Sequence, residues 1–219
     1  MGEDLAFNRV ATPANPLRCA VLLSGSGSGM QALVEYQQGR GAAHRTAVVI
    51  SNRVDAGGVE RAQHLSIPVE VLPHPTPSTE GGRVVHESQI MDVLETYDVE
   101  WVVLSGYMRL LSPHFLQRWE GRIVNIHPSL LPKFPGAHAH RDVLASDVEV
   151  TGCTVHLVDE GMDTGQILAQ AMVPVLAGDT EALLTQRVKV EEHRLYPEVL
   201  TWIAAGHLHR EGGPMNVGH

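Results

Sequence analysis

Cys19-Ala20-Val21-Leu22-Leu23-Ser24-Gly25-Ser26-Gly27-Ser28-Gly29-Met30-Gln31-Ala32 is the stretch that decides the architecture of this 219-residue chain. Five apolar residues in a row, with no polar alternation, read as a strand buried on both faces, as in a parallel sheet covered by helices on each side. The serine- and glycine-rich hexapeptide that follows is a strand-to-helix turn. Met30, Leu33, Val34 and Gln37 then continue at helical spacing.

The same alternation repeats outward. Ala47–Ile50 is a second strand, and Val59, Ala62 and Leu65 mark a helix closed by Ile67-Pro68. Val69–Leu72 is a short third strand, followed by a proline-rich turn over 73–77 and a helix through Val84, Ile90, Met91 and Leu94. Trp101–Leu104 is the fourth strand, Pro113–Trp119 a short helix, and Ile123–Ile126 the fifth strand. Strands alternating with helices indicate an α/β fold, a doubly wound, mostly parallel Rossmann-like sheet. Beyond His127 the rhythm changes. Val155–Val158 and Ile167–Val173 read as a C-terminal strand pair joined by an acidic turn. Thr180–Ala204 reads as a long closing helix, with Thr180 as its cap, Glu181 in its first turn and a kink or break at Pro197. The expected organisation is a flexible lead over 1–17, one domain over 18–204 and a polar tail over 205–219.

Composition narrows the function. A net charge of −9 disfavours a nonspecific nucleic-acid binder. No apolar stretch is long enough to span a bilayer and the N-terminus is not a signal peptide, so a cytoplasmic location is expected, with no membrane partner. The two cysteines, Cys19 and Cys153, sit in apolar runs and read as buried thiols. No C-x-x-C or H-E-x-x-H pattern occurs, so no metal ligand is assigned.

Two segments carry chemistry. The loop Ser24–Gly29 lies where open α/β sheets bind ligands, and free N–H groups at a helix start attract phosphate. A dinucleotide reading fits the loose G-x-G-x-x-A form of Gly27–Ala32, but Ser51-Asn52-Arg53 follows the second strand where a ribose-binding carboxylate would stand. A single phosphate fits better. The second segment is Asn125-Ile126-His127-Pro128-Ser129-Leu130-Leu131-Pro132, followed by Asp159-Glu160-Gly161-Met162-Asp163-Thr164-Gly165. An amide donor, an imidazole and a carboxylate together suit acyl transfer, where an oxyanion must be stabilised and a proton moved. Ser129 has no G-x-S-x-G elbow, which argues against a covalent intermediate.

These motifs, with Ser105-Gly106-Tyr107-Met108-Arg109-Leu110-Leu111 and Glu192-His193-Arg194-Leu195-Tyr196-Pro197, resemble the folate-dependent formyltransferases, and among them the branch acting on glycinamide ribonucleotide. The resemblance runs from Cys19 to about Ala204. It implies a formyl donor, 10-formyltetrahydrofolate, as cosubstrate, and a nucleotide-binding half over 18–120 before a folate and catalytic half over 121–204. It implies Asn125, His127 and Asp163 as the catalytic set, and Gly27, Ser28, Gly29 and Glu192 as contacts of the ribonucleotide. Arg83, Met108, Arg109, Leu110, Leu111, Asn125 and Asp159 would hold the folate. It also implies a monomer or homodimer that needs no metal.

Three alternatives stand beside it. A methionyl-tRNA formyltransferase adds a basic C-terminal domain, and a formyltetrahydrofolate hydrolase adds an N-terminal regulatory domain. A noncatalytic nucleotide-binding module would not need the three catalytic residues.

Overall fold

The computed structural model describes residues 9–74, 79–209 and 215–216. β1 (Leu17–Leu23), β2 (His44–Ser51), β3 (Val69–Val71), β4 (Trp101–Leu104) and β5 (Ile123–His127) are parallel. β6 (Val150–Leu157) and β7 (Ile167–Pro174) continue antiparallel, in the order β3-β2-β1-β4-β5-β6-β7. A two-residue strand, β8 (Met215–Asn216), runs parallel to β7 at the edge.

Alternation along each strand sends side chains to two separate cores. Cys19, Val21 and Leu23 of β1, with Trp101 and Val103 of β4, pack under α1 (Ser28–Arg40), α2 (Gly57–His64), α5 (Ala139–Leu144) and α6 (Glu181–Ala204). Ala20, Leu22, Val102 and Leu104 face the other way, onto α3 (Glu80–Thr96) and α4 (Pro113–Arg118), where Phe115 is fully buried. The unbroken apolar run of β1 therefore serves both layers. Thr79, Ser112 and Thr180 cap α3, α4 and α6 by accepting from backbone N–H groups in the first turn.

The structure departs from the sequence reading in four places. From Arg9 onward the expected flexible lead is tied down. The Arg9 guanidinium pairs with Glu100 at 2.6 Å, the Ala11 N–H donates to the Ala204 carbonyl at 2.8 Å, and Ala11 is buried. Residues 1–8 lie outside the described residues. Pro197 does not divide α6, because Leu195, Tyr196, Val199 and Leu200 pack on both sides of it and outweigh one missing hydrogen bond. α5 was not expected, and the tail contributes a turn of 3-10 helix at His207–His209 and β8. Residues 75–78 of the proline-rich turn, and 210–214 and 217–219 of the tail, lie outside the described residues.

Candidate active site

The strand order reverses between β1 and β4, and a ligand crevice opens at such a switch point, beyond the carboxyl ends of the strands. The loops leaving those two strands are bound to each other. The Ser24 N–H donates to the Gly106 carbonyl at 3.1 Å, and the Met108 N–H donates to Ser24 Oγ at 2.9 Å. Gly27 has φ 74°, and a Cβ there would stand 2.4 Å from the Cα of Gly58, so only glycine lets the loop lie on α2. α1 starts at Ser28 without a side-chain cap, which leaves its first-turn N–H groups for a ligand.

This loop forms one wall of a cleft of about 1000 Å³. Across it stand His140, Lys189, Glu192, His193 and Tyr196. Tyr196 fixes the α6 wall, since its hydroxyl is shared between the carbonyls of Leu104 and Val124 at 3.0 and 2.9 Å. Burial pushes the Glu192 carboxyl up to about 7, with Lys189 pulling the other way. Gly27, Ser28, Gly29 and Glu192, expected together on one ligand, do line one cavity.

A second cavity of about 320 Å³ lies on the other side of Arg109. It is lined by Arg83, Tyr107, Leu110, Leu111, Asn125 and His156, and by the turn from Asp159 to Asp163. Arg109 borders both spaces, and its guanidinium donates to His74 Nδ1 at 2.6 Å. Arg83 is half-buried with a buried Nε that has no hydrogen-bond partner among the described residues, so it is not a plain solvated helix residue. Met108 borders the larger cleft and is 71% exposed, because the loop turns at Gly106 and sends Met108 and Leu110 to different spaces. Asp159 is partly committed elsewhere: its Oδ1 accepts from the Gly161 N–H at 3.0 Å and the Thr164 hydroxyl at 2.7 Å, closing the acidic turn.

The end of β5 lies between the two spaces. Ile126 and Pro128 border the cleft while Asn125 borders the cavity. Asn125 and His127 share one face of the strand. His127 is 5% exposed, and its two ring nitrogens face acceptors: Nε2 is 2.8 Å from the Phe134 carbonyl and Nδ1 is 3.4 Å from Asp163 Oδ2. The same Asp163 oxygen accepts from the Gly136 N–H at 2.7 Å, and its Oδ1 is 3.7 Å from His156 Nε2. Ser129, fully buried, donates to the Lys133 carbonyl at 2.6 Å, so its hydroxyl serves the loop and not a nucleophilic role. Thr154 holds the same loop, donating to the Ser129 carbonyl at 2.6 Å and accepting from the Leu131 N–H at 3.0 Å.

His156 is the residue that sequence reasoning missed. It stands opposite Asn125 across the β5–β6 ladder. The Asn125 amide lies 3.2 Å from His156 Nε2, and His156 Nδ1 lies 2.8 Å from the Leu157 carbonyl. Burial lowers the proton affinity of this imidazole. In its neutral form with Nδ1 protonated, the ring accepts from the amide and holds the other amide hydrogen toward the cavity. The available signal was a lone histidine in an apolar strand that leads into the acidic turn.

The crevice thus sets a glycine loop with free helix-start N–H groups on one side of the β5 end and an amide, an imidazole and a carboxylate on the other. The chain belongs to the formyl transferase family, whose sequence pattern matches residues 17–200. It is 40% identical over 192 residues to the phosphoribosylglycinamide formyltransferase of Escherichia coli K12, covering 88% of this chain and 89% of that protein. It is 44% identical over 189 residues to the human trifunctional purine biosynthetic protein adenosine-3. That match takes in 86% of this chain, which spans only 18% of the human protein's length. Among solved structures, glycinamide ribonucleotide transformylase 1 from Symbiobacterium toebii superposes with a TM-score of 0.83 at 44% identity, covering 91% of this chain and 92% of that one. Among the described residues no helix is long and apolar enough to cross a membrane.

Proposed function

We propose that this protein transfers a formyl group from 10-formyltetrahydrofolate to the amine of glycinamide ribonucleotide, giving formylglycinamide ribonucleotide and tetrahydrofolate, a step of purine biosynthesis. The observation that carries this reading is that the catalytic strand end separates two cavities. One has a phosphate loop and a carboxylate suited to a ribose diol, and the other has an apolar wall and fixed polar groups suited to a pterin. The substrate amine reaches across β5 to attack the formyl carbon, and the carbonyl oxygen becomes an oxyanion. The Asn125 amide, aimed by His156, donates to that oxygen, and the His127 ring joins it by exchanging the contact of its Nε2 with the Phe134 carbonyl for the oxyanion. Asp163 positions the imidazole and assists proton movement. The amine loses a proton, the carbon–N10 bond breaks, and N10 takes a proton. No covalent enzyme intermediate is required. An oxyanion donor of this kind is worth roughly two to three orders of magnitude in rate.

The test is to supply purified protein with both compounds and identify products by mass. Formylglycinamide ribonucleotide and tetrahydrofolate in equal amounts are expected. Formate released without the ribonucleotide would instead indicate a hydrolase, and formylation of methionyl-tRNA would indicate the tRNA enzyme. No turnover with intact folate binding would leave a binding module.

A further inference from the structure

Ser105 is the first residue after β4, one strand away from the phosphate loop. Its N–H is held by the Leu22 carbonyl at 3.0 Å, so the residue is anchored to β1 at the switch point. Its hydroxyl oxygen stands 2.7 Å from the place a Cβ on Gly29 would occupy, and among the described residues no other atom outside Ser28, Met30 and the helix's own backbone comes within 4 Å of that place. Residues 29 and 105 therefore compete for one volume. Here the glycine yields it and the serine fills its edge. The side chain is half-buried, borders the larger cleft and not the smaller cavity, and has no hydrogen-bond partner among the described residues.

We propose that Ser105 is a phosphate ligand of the ribonucleotide substrate, its hydroxyl donating to a phosphate oxygen from the β4 side while the N–H groups of Ser28 and Gly29 donate from the α1 side. A phosphate monoester presents three acceptor oxygens, and backbone donors of a helix start approach it from one direction only. A loop with glycine at position 29 has no side-chain donor there. A hydroxyl reaching into the vacated volume supplies the missing direction. The assignment rests on the ribonucleotide reading above, and it makes positions 29 and 105 a coupled pair: a larger residue at 29 displaces the Ser105 hydroxyl from this volume.

The experiment compares calorimetric affinity for glycinamide ribonucleotide, for the same compound without its 5′-phosphate, and for a dideaza folate analogue. Ser105→Ala should weaken the ribonucleotide roughly tenfold, as expected for one hydrogen bond to a charged group. The dephosphorylated compound and the folate analogue should bind as they do to the parent. Ser105→Thr, which keeps the hydroxyl, should recover most of the loss. Gly29→Ala should weaken the ribonucleotide when Ser105 is present and much less when position 105 is alanine. Equal weakening of the phosphorylated and dephosphorylated compounds would overturn the proposal, as would unchanged ribonucleotide affinity in Ser105→Ala. If Gly29→Asp also left the ribonucleotide unaffected, the fault would lie in the substrate reading itself. If Gly29→Asp abolished binding while Ser105→Ala did nothing, only the serine assignment would fall.

Discussion

Replacing Glu192 by glutamine should make the protein more stable and a poorer binder of its nucleotide. The carboxyl group is held at about 7 against an ordinary 4.5, and desolvation is the dominant cause. Between those values the folded chain binds more protons than the unfolded one, so stability falls as pH rises through that window. The penalty is absent below the lower value and complete above the upper one. At 1.36 kcal/mol per unit it amounts to at most about 3 kcal/mol, and water reaching the half-buried side chain trims it to about 2 kcal/mol. Glu192→Gln removes the penalty. Its melting temperature should exceed the parent's by about 4–8 °C at pH 8, and the two should converge toward pH 4.5. In exchange glutamine lacks the charge with which Glu192 is proposed to hold a ribose diol, and KM for glycinamide ribonucleotide should rise about tenfold or more. In the parent that KM should also rise as pH falls below about 7, because the ionised carboxylate is the better acceptor. Thermal unfolding of both proteins across this pH range is the assay. Stability curves that run parallel, or a glutamine variant less stable than the parent at pH 8, would refute the desolvation argument.

Three further outcomes follow from the geometry. Asn125→Ala should fold normally and lose about two to three orders of magnitude in single-turnover rate, with folate-analogue affinity changing far less; loss of binding alone would move Asn125 from catalysis to recognition. His127→Ala and Asp163→Asn should be strongly non-additive, the double variant costing much less than the product of the singles, with Asp159→Asn as a near-neutral control; fully multiplicative losses would mean that the two residues act independently. Gly27→Ala should cost about 2 to 4 kcal/mol in chemical denaturation, from left-handed backbone strain together with the contact on Gly58, and a variant as stable as the parent would show that the loop is not pressed onto α2.

Legibility in the sequence tracked how locally each feature is specified. β1, β4 and the Ala47–Ile50 run of β2 announced themselves because a strand covered on both faces must be apolar throughout, and helix caps such as Thr180 act within one turn. α5 gave no such signal: in six residues only Ala139 and Val143 are buried, a single pair one turn apart. The order from Arg9 onward depends on Glu100, whose position beside it is a product of the finished sheet. The direction of Met108, which borders the larger cleft, was not legible for a related reason, since a loop has no side-chain period from which direction can be read. His156 became visible only with the β5–β6 register, which pairs it with Asn125.

The Asp163 carboxylate shows why a local motif nevertheless pointed to a nonlocal contact. β6 runs antiparallel to β5, and the chain leaves it at the level of Ile123, where the Val158 N–H donates to the Ile123 carbonyl at 2.9 Å. That is the end of β5 away from His127. An ordinary hairpin turn would carry Asp163 off the site. Instead the turn doubles back along the sheet until Asp163 meets the Gly136 N–H and the His127 ring. Two backbone features accompany the reversal. Asp163 adopts φ 56°, which aspartate tolerates better than most residues. At Gly165 a Cβ would stand 1.7 Å from the Leu157 carbonyl oxygen, so the chain can return that closely only on glycine. Asp-Thr-Gly is thus the covalent record of a fold-back: the carboxylate that meets His127 and the bend that delivers it occupy the same three residues.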